Sequence, residues 1–302
     1  MKLSQLIDEF LVYLDSVRGF SSNSVTAYKN NLSHLENFVG INKNIEEISY
    51  QDLRLCVAQL STEKKASTSI NQFIASVRSF FSYCRKFGYI LKNPALELKT
   101  VRIPKHIPRF LTSPEIDSLC DLPKENELLW EKRDKALFEM LYSSGCRVSE
   151  IVSLKLSSLE NENSSAIITG KGKKDRRVFF ENDAKIALEE YLKDRKKRFS
   201  ENECKTPFVF VNQQGKPLTT GGVRYILSKY TGNEGLKHHI SPHAIRHTFA
   251  TSMISNGADV RIVQEMLGHS SISTTQKYTH ITTAQLIDIY NRSHPHGENK
   301  KN

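Results

Sequence analysis

Between residues 93 and 115 the chain reads NPALELKTVRIPKHIPRFLTSPE, with prolines at 94, 104, 108 and 114. Proline fixes φ and lacks an amide donor, so neither a helix nor a central strand runs through such a stretch. The residues on its two sides must therefore fold apart. Lys99, Arg102, Lys105, His106 and Arg109 are interleaved with the prolines, a pattern that suits an extended strap over phosphates, with a merely solvated basic linker as the alternative. We read residues 98–112 as a linker between a domain over 1–97 and a second over 113–292, with a disordered tail over 293–302. A chain of 302 residues is long enough for two cores.

The first domain reads as all helical. Leu3, Leu6, Ile7, Phe10, Leu11 and Leu14 recur at helical spacing before Gly19. A second helix opens at SSNSVTAY, where Ser21, Ser22 or Ser24 is the cap. A third is expected from Tyr50 to Leu60 and a fourth from Ser67 to Phe87, with Ile70, Phe73, Ile74, Val77, Phe80, Phe81 and Cys84 inward.

The second domain mixes helix and strand. Ser113 is expected to cap a helix with Pro114 in its first turn. RDKALFEMLYSS, RVSEIVSLKLSSL and DAKIALEEYLKDRKKR read as helices, and Ser165–Thr169 and Arg176–Phe180 as strands around a glycine-rich basic turn. PFVFV reads as a short strand and Gly221–Tyr230 as helix. From Pro242 to Tyr278 the pattern is helical, broken at Gly257 and Gly268, and Ala284–Tyr290 forms a last amphipathic segment.

Lys and Arg number 43 against 33 Asp and Glu. Residues 1–105 hold 14 basic against 9 acidic, and the remainder 29 against 24, so both halves are basic, as expected if both touch a polyanion. Basic proteins that bind nothing acidic are the alternative. No apolar run approaches the length of about 18 residues that a membrane span needs, and MKLSQLIDEF carries Asp8 and Glu9 where a signal peptide would be apolar. A cytoplasmic protein without membrane insertion is expected. Its cysteines (Cys56, Cys84, Cys120, Cys146, Cys204) are odd in number and lack a CxxC pair, which argues for reduced thiols and against structural zinc.

Several cations stand beside glycine or at helix starts, where a phosphate approaches backbone closely. Arg147 in SSGCRVSEI follows Gly145 and opens a helix whose amides favour an anion, with Glu150 as its alternative ion-pair partner. Lys171 lies in TGKGKKDR, beside Lys173 and Lys174, which remain candidates for the same role. His243 and Arg246 in SPHAIRHTFAT share one helix face, and His247 competes with His243. His269 and Tyr278 lie nine positions apart in LGHSSISTTQKYTH. Two arginines can grip one phosphodiester through paired hydrogen bonds. A tyrosine hydroxyl, with an ordinary pKa of about 10, is a nucleophile only when a neighbour takes its proton, for which His243 is placed. A lysine can protonate a departing 5′ oxygen.

The order Arg, Lys, His-x-x-Arg, Gly-His, Tyr behind a small helical domain resembles the tyrosine recombinase, phage integrase-like family, close to its Xer branch. SSGCRVSEI is similar to that branch's T-G-L-R-[VI]-S-E-[LI], GKGKKDR to G-K-G-x-K-x-R, PHAIRHTFAT to P-H-x-L-R-H-[TS]-F-A-T, and LGHSSISTTQKYTH to L-G-H-x-x-[IL]-x-T-T-x-x-Y-T-H. Ser144, Cys146 and Ile245 depart from the pattern in packing only. The resemblance implies a mainly α fold with a small β-sheet: a four-helix, SAM-like core-binding domain, then a mixed α/β catalytic domain. It implies Tyr278 as nucleophile, forming a 3′-phosphotyrosyl link, supported by Arg147, Lys171, His243, Arg246 and His269, with no metal or organic cofactor.

The resemblance further implies cutting and rejoining of duplex DNA by four protomers, with the segment Ala284–Tyr290 docking into a neighbour or folding back on its own domain. The expected role is resolution of chromosome or plasmid dimers. Expected partners are a double-stranded recombination site, a related recombinase in a heterotetramer or homotetramer, and a DNA translocase of the FtsK type at the septum. An integrase of a mobile element usually carries a further N-terminal arm-binding domain, and a chain opening on the helical bundle favours the housekeeping role. A non-catalytic DNA-binding regulator would need only the cations.

Overall fold

The computed structural model describes residues 1–103, 111–125, 129–170, 175–199, 205–232, 240–268 and 283–295. The chain divides into two compact units, Met1–His106 and Ile107–Asn302.

In the first unit α1 (Leu3–Val12) continues into one π-helical turn at Tyr13–Val17, followed by α2 (Ser22–Val39), α3 (Tyr50–Thr62) and α4 (Ser67–Lys86). Ser21 caps α2 by accepting the Ser24 amide, and Ser49 and Asp52 form a reciprocal capping box on α3. The apolar stripes meet in one core: Leu3, Leu6, Phe10, Leu32, Leu35, Leu53, Phe73, Ile74, Val77, Phe80 and Phe81 are all buried. The linker expected from residue 98 starts later than its sequence suggests. Leu98 is buried in this core, the Asn71 side chain both accepts the Val101 amide (2.7 Å) and donates to the Val101 carbonyl (2.8 Å), and Arg78 donates to the Leu98 carbonyl. A leucine side chain and three backbone groups thus hold the first part of the strap on α4.

The second unit contains α5 (Ser113–Glu125), α6 (Glu131–Ser144), α7 (Val148–Val152), β1 (Leu159–Glu160), β2 (Ser165–Thr169), β3 (Asp175–Phe179), α8 (Asn182–Arg198), α9 (Thr220–Gly232), α10 (Pro242–Ser255), α11 (Val260–Leu267) and α12 (Thr283–Ser293). The strands form an antiparallel sheet in the order β1-β2-β3, with Arg176 opposite Ile168. α6 lies at the centre, buried from Arg133 nearly throughout. Its charged opening survives burial because every group finds a partner: Arg133 pairs with Asp134 at 2.6 Å, and the Tyr230 hydroxyl donates to Asp134 at 3.1 Å.

Three local expectations are corrected in this unit. The helix expected over RVSEIVSLKLSSL stops at Val152, because the Leu154 carbonyl accepts the Val209 amide and the Leu156 amide donates to Pro207, which draws the chain into extended pairing. PFVFV, expected as a strand, makes single bridges only, Lys155 to Phe208 and Val211 to Pro217. At α5 the cap is Thr112, whose amide and hydroxyl both reach Glu115, and Ser113 lies within the helix. α12 lies on its own unit, where Tyr290 packs against Phe179 and its hydroxyl bonds Ser143. Cys56, Cys84, Cys120 and Cys146 are buried free thiols. Among the described residues no helix is long and apolar enough to cross a membrane.

Candidate active site

α11 organises the site. The Asp259 carboxylate accepts the Arg261 amide at its start, Val263, Met266 and Leu267 face the core, and Gly268 ends it in the left-handed conformation at φ +66°. The last carbonyls of a helix have no partner within it and carry the negative end of its dipole. Here they are met by arginines from three separate elements. Arg176 on β3 donates through Nε to Met266 at 2.9 Å. Arg246 on α10 donates to Leu267 at 2.7 Å. Arg147, the residue before α7, donates to Leu267 at 3.4 Å and to Gly268 at 3.2 Å.

Glu150, 5% exposed, balances this charge. Its Oε1 accepts from Arg147 Nη1 (2.9 Å) and Arg176 Nη1 (2.9 Å), and its Oε2 from the Arg147 amide (2.7 Å) and Arg176 Nη2 (2.8 Å). Burial by itself would raise its pKa. The Arg176 and Arg147 hydrogen bonds prevail and hold the carboxyl below its ordinary value. Arg246 shows the opposite imbalance: burial, then the neighbouring Arg147 charge, push its guanidinium down to about 10. Among the described residues three guanidiniums face one carboxylate, which leaves this cluster short of negative charge. Among the described residues Arg147 uses three of its five N–H groups and Arg246 two, through Gly145 (2.7 Å) and Leu267, which leaves donors on both that no described residue takes.

At the start of α7 the Glu150 carboxylate accepts the amide of Arg147, the residue before the helix, at 2.7 Å. The Arg147 side chain is 36% exposed. His243 is exposed in the first turn of α10, one turn before the buried Arg246, and Ser241 caps the helix by accepting the Ala244 amide. The structure therefore brings Arg147 and Arg246 together on one carbonyl and places His243 on the same helix as Arg246. Lys171, His269 and Tyr278 lie outside the described residues, although Gly268, directly before His269, is part of the arginine cluster. The sequence reading missed Arg176 and gave Glu150 only an alternative's place. Both had signals: Glu150 stands three residues into a helix start, as in a capping box, and Arg176 closes the GKGKKDR motif.

Gly145 is dictated by packing. It lies at φ +58°, and a Cβ there would stand 2.4 Å from the Phe249 ring. Gly145→Ala is expected to destabilise the protein by about 2–4 kcal/mol through overpacking and left-handed strain, lowering the melting temperature by roughly 5–10 °C. A thermal melt superimposable on wild type would remove the steric argument.

Residues 7–87 match the phage integrase N-terminal SAM-like domain and residues 109–285 the phage integrase family. The tyrosine recombinase XerC of Treponema denticola is 40% identical over 304 aligned residues, spanning 97% of this chain and 100% of that one. The XerC of Oceanobacillus iheyensis is 37% identical, covering 99% of each chain. Among solved structures, the Tn1549 transposon integrase with circular-intermediate DNA aligns over 94% of this chain and 97% of its own, with TM-score 0.72 at 21% identity. A λ integrase dimer on a core site aligns over 94% and 100%, with TM-score 0.69 at 17% identity, and at that identity the likeness concerns the fold. The chain belongs to the phage integrase family. It is a site-specific tyrosine recombinase, an enzyme of DNA strand exchange.

Proposed function

We propose that the Tyr278 hydroxyl attacks a DNA phosphodiester, forming a 3′-phosphotyrosyl bond as the 5′ oxygen leaves. His243 takes the phenolic proton, and Lys171 gives one to the leaving oxygen, so the reverse transfer can rejoin the strand without an external energy source. Arg147, Arg246 and His269 donate to the non-bridging oxygens, where charge grows in the pentacoordinate transition state. The observation that carries this reading is the meeting of Arg147 and Arg246 on the Leu267 carbonyl, two residues before His269. Its charge imbalance is what a phosphate corrects.

The substrate is a short duplex recombination site, and the task is resolution of chromosome or plasmid dimers in the cytoplasm, a role supported by full-length similarity to XerC recombinases. Four protomers act on two sites, this chain pairing with itself or a related recombinase, with a septal DNA translocase of the FtsK type as a further partner. A duplex nicked beside the scissile phosphate traps the covalent intermediate. Wild type is expected to yield a protein–DNA adduct and Tyr278→Phe none. Equal adducts from both would refute the nucleophile assignment.

A further inference from the structure

We propose that Arg176 is a positioning residue of this site, tying together β3, which follows the lysine-rich residues 171–174 in the chain, the carboxylate that orients Arg147, and the helix end that precedes His269. The inference rests on reading Arg147, Lys171 and His269 as parts of one phosphate site.

The geometry uses both edges of the guanidinium. Nη1 and Nη2 form a fork on the two Glu150 oxygens at 2.9 and 2.8 Å, and Nε holds the Met266 carbonyl at 2.9 Å. A fork of this kind fixes orientation as well as distance. Its backbone sits on β3, five positions beyond Lys171. The guanidinium also lies over Gly268, where a Cβ would come within 2.9 Å of Nη1. Glycine at 268 is favoured by φ +66°, and a side chain there would press on the Arg176 guanidinium. The next residue shows the difference: Arg177, on the opposite face of the strand, makes a half-open pair with Glu160 at 3.0 Å, the kind of surface contact that contributes little.

Glu150 accepts four hydrogen bonds, two from Arg176 and two from Arg147, which fills its acceptor capacity. The groups facing it are Arg147, Arg176, Arg246 and the Cys146 thiol, which burial pushes up to about 11 and so keeps neutral. Without Arg176, two acceptor positions open in a buried carboxylate. Arg147 becomes its chief partner and is drawn from the phosphate position, while burial raises the carboxyl pKa.

The test uses the full chain and the nicked duplex, following adduct formation in a single turnover across pH for wild type, Arg176→Gln, Arg176→Lys and Tyr278→Phe. Arg176→Gln is expected to bind duplex normally yet react about 10- to 100-fold more slowly, as when the partner that orients a reacting group is lost. The acid limb of its pH profile should move to higher pH, because Glu150 protonates sooner. Arg176→Lys should recover part of the rate, since an ammonium keeps the charge but not the fork. A wild-type rate and unshifted profile for Arg176→Gln, with Tyr278→Phe inert, would overturn the inference and leave the site reading intact. Adduct from Tyr278→Phe would instead strike the site reading. If Arg176→Gln melts below the assay temperature, Arg176→Lys decides: partial loss with a shifted profile supports the inference, and wild-type behaviour overturns it.

Discussion

Arg246→Ala is expected to slow covalent adduct formation about 10²- to 10³-fold, equivalent to about 3–4 kcal/mol of transition-state stabilisation, while changing the melting temperature far less. The two effects separate because Arg246 is poorly balanced in the free protein. Its side chain is buried, two carbonyls orient it, and Arg147 repels it, so its pKa falls to about 10. A cation whose folded pKa is depressed lowers stability while protonated, and that penalty begins to lift only above about pH 10. At neutral pH the residue is charged and held at the fold's expense. A phosphodiester between Arg147 and Arg246 reverses the sign, so wild type should gain more thermal stability from duplex than Arg246→Ala does. Adduct formation at the wild-type rate by Arg246→Ala would exclude this residue from transition-state stabilisation. Arg246→Lys should resemble alanine in rate, because an ammonium cannot span the Gly145 and Leu267 carbonyls while facing phosphate.

The helical skeleton was legible where one apolar stripe faced one core. α1 to α4 follow the spacing of Leu3, Leu6 and Phe10 or of Ile70, Phe73, Ile74 and Val77, because a helix with a single buried face writes its period into the chain. The failures fall where backbone pairing outweighs periodicity. RVSEIVSLKLSSL has helical spacing, yet the Leu154 carbonyl and the Leu156 amide are paired with residues 207–209. No local pattern announces a partner more than fifty residues away. Likewise the linker's start depends on Asn71 and Arg78, which reach backbone some 20 to 30 positions further on.

The site was legible as a set of residue types and illegible as a network. Arg147 and Arg246 stood out because cations beside glycine or on one helix face suggest phosphate. That three arginines would cap one helix end, and that a single glutamate would hold two of them, depends on how β3, α10 and α11 pack around Phe179, Phe249 and Met266 and on where the turn before α7 places Arg147 and Glu150. Arg176 and Arg177 are chemically identical neighbours, and only the face of the strand distinguishes their roles.

Glu150→Ala should therefore be the most damaging substitution to stability in this region. Removing one cation from the cluster relieves repulsion, whereas removing the one carboxylate strands two. Arg176, with a side chain 13% exposed, would retain only the Met266 carbonyl among its described partners, and Arg147, 36% exposed, is partly screened by solvent. Breaking a buried pair from one side costs about 3–5 kcal/mol, or roughly 10–15 °C in melting temperature. The pH dependence has a definite sign. A carboxylate whose folded pKa lies below its ordinary 4.5 contributes its full stability above that value and loses it as pH falls through the folded pKa. The gap between wild type and Glu150→Ala should thus be level near neutrality and close as the solution is acidified below 4.5. A gap that widened on acidification would mean that the three arginines are held by something other than this charge.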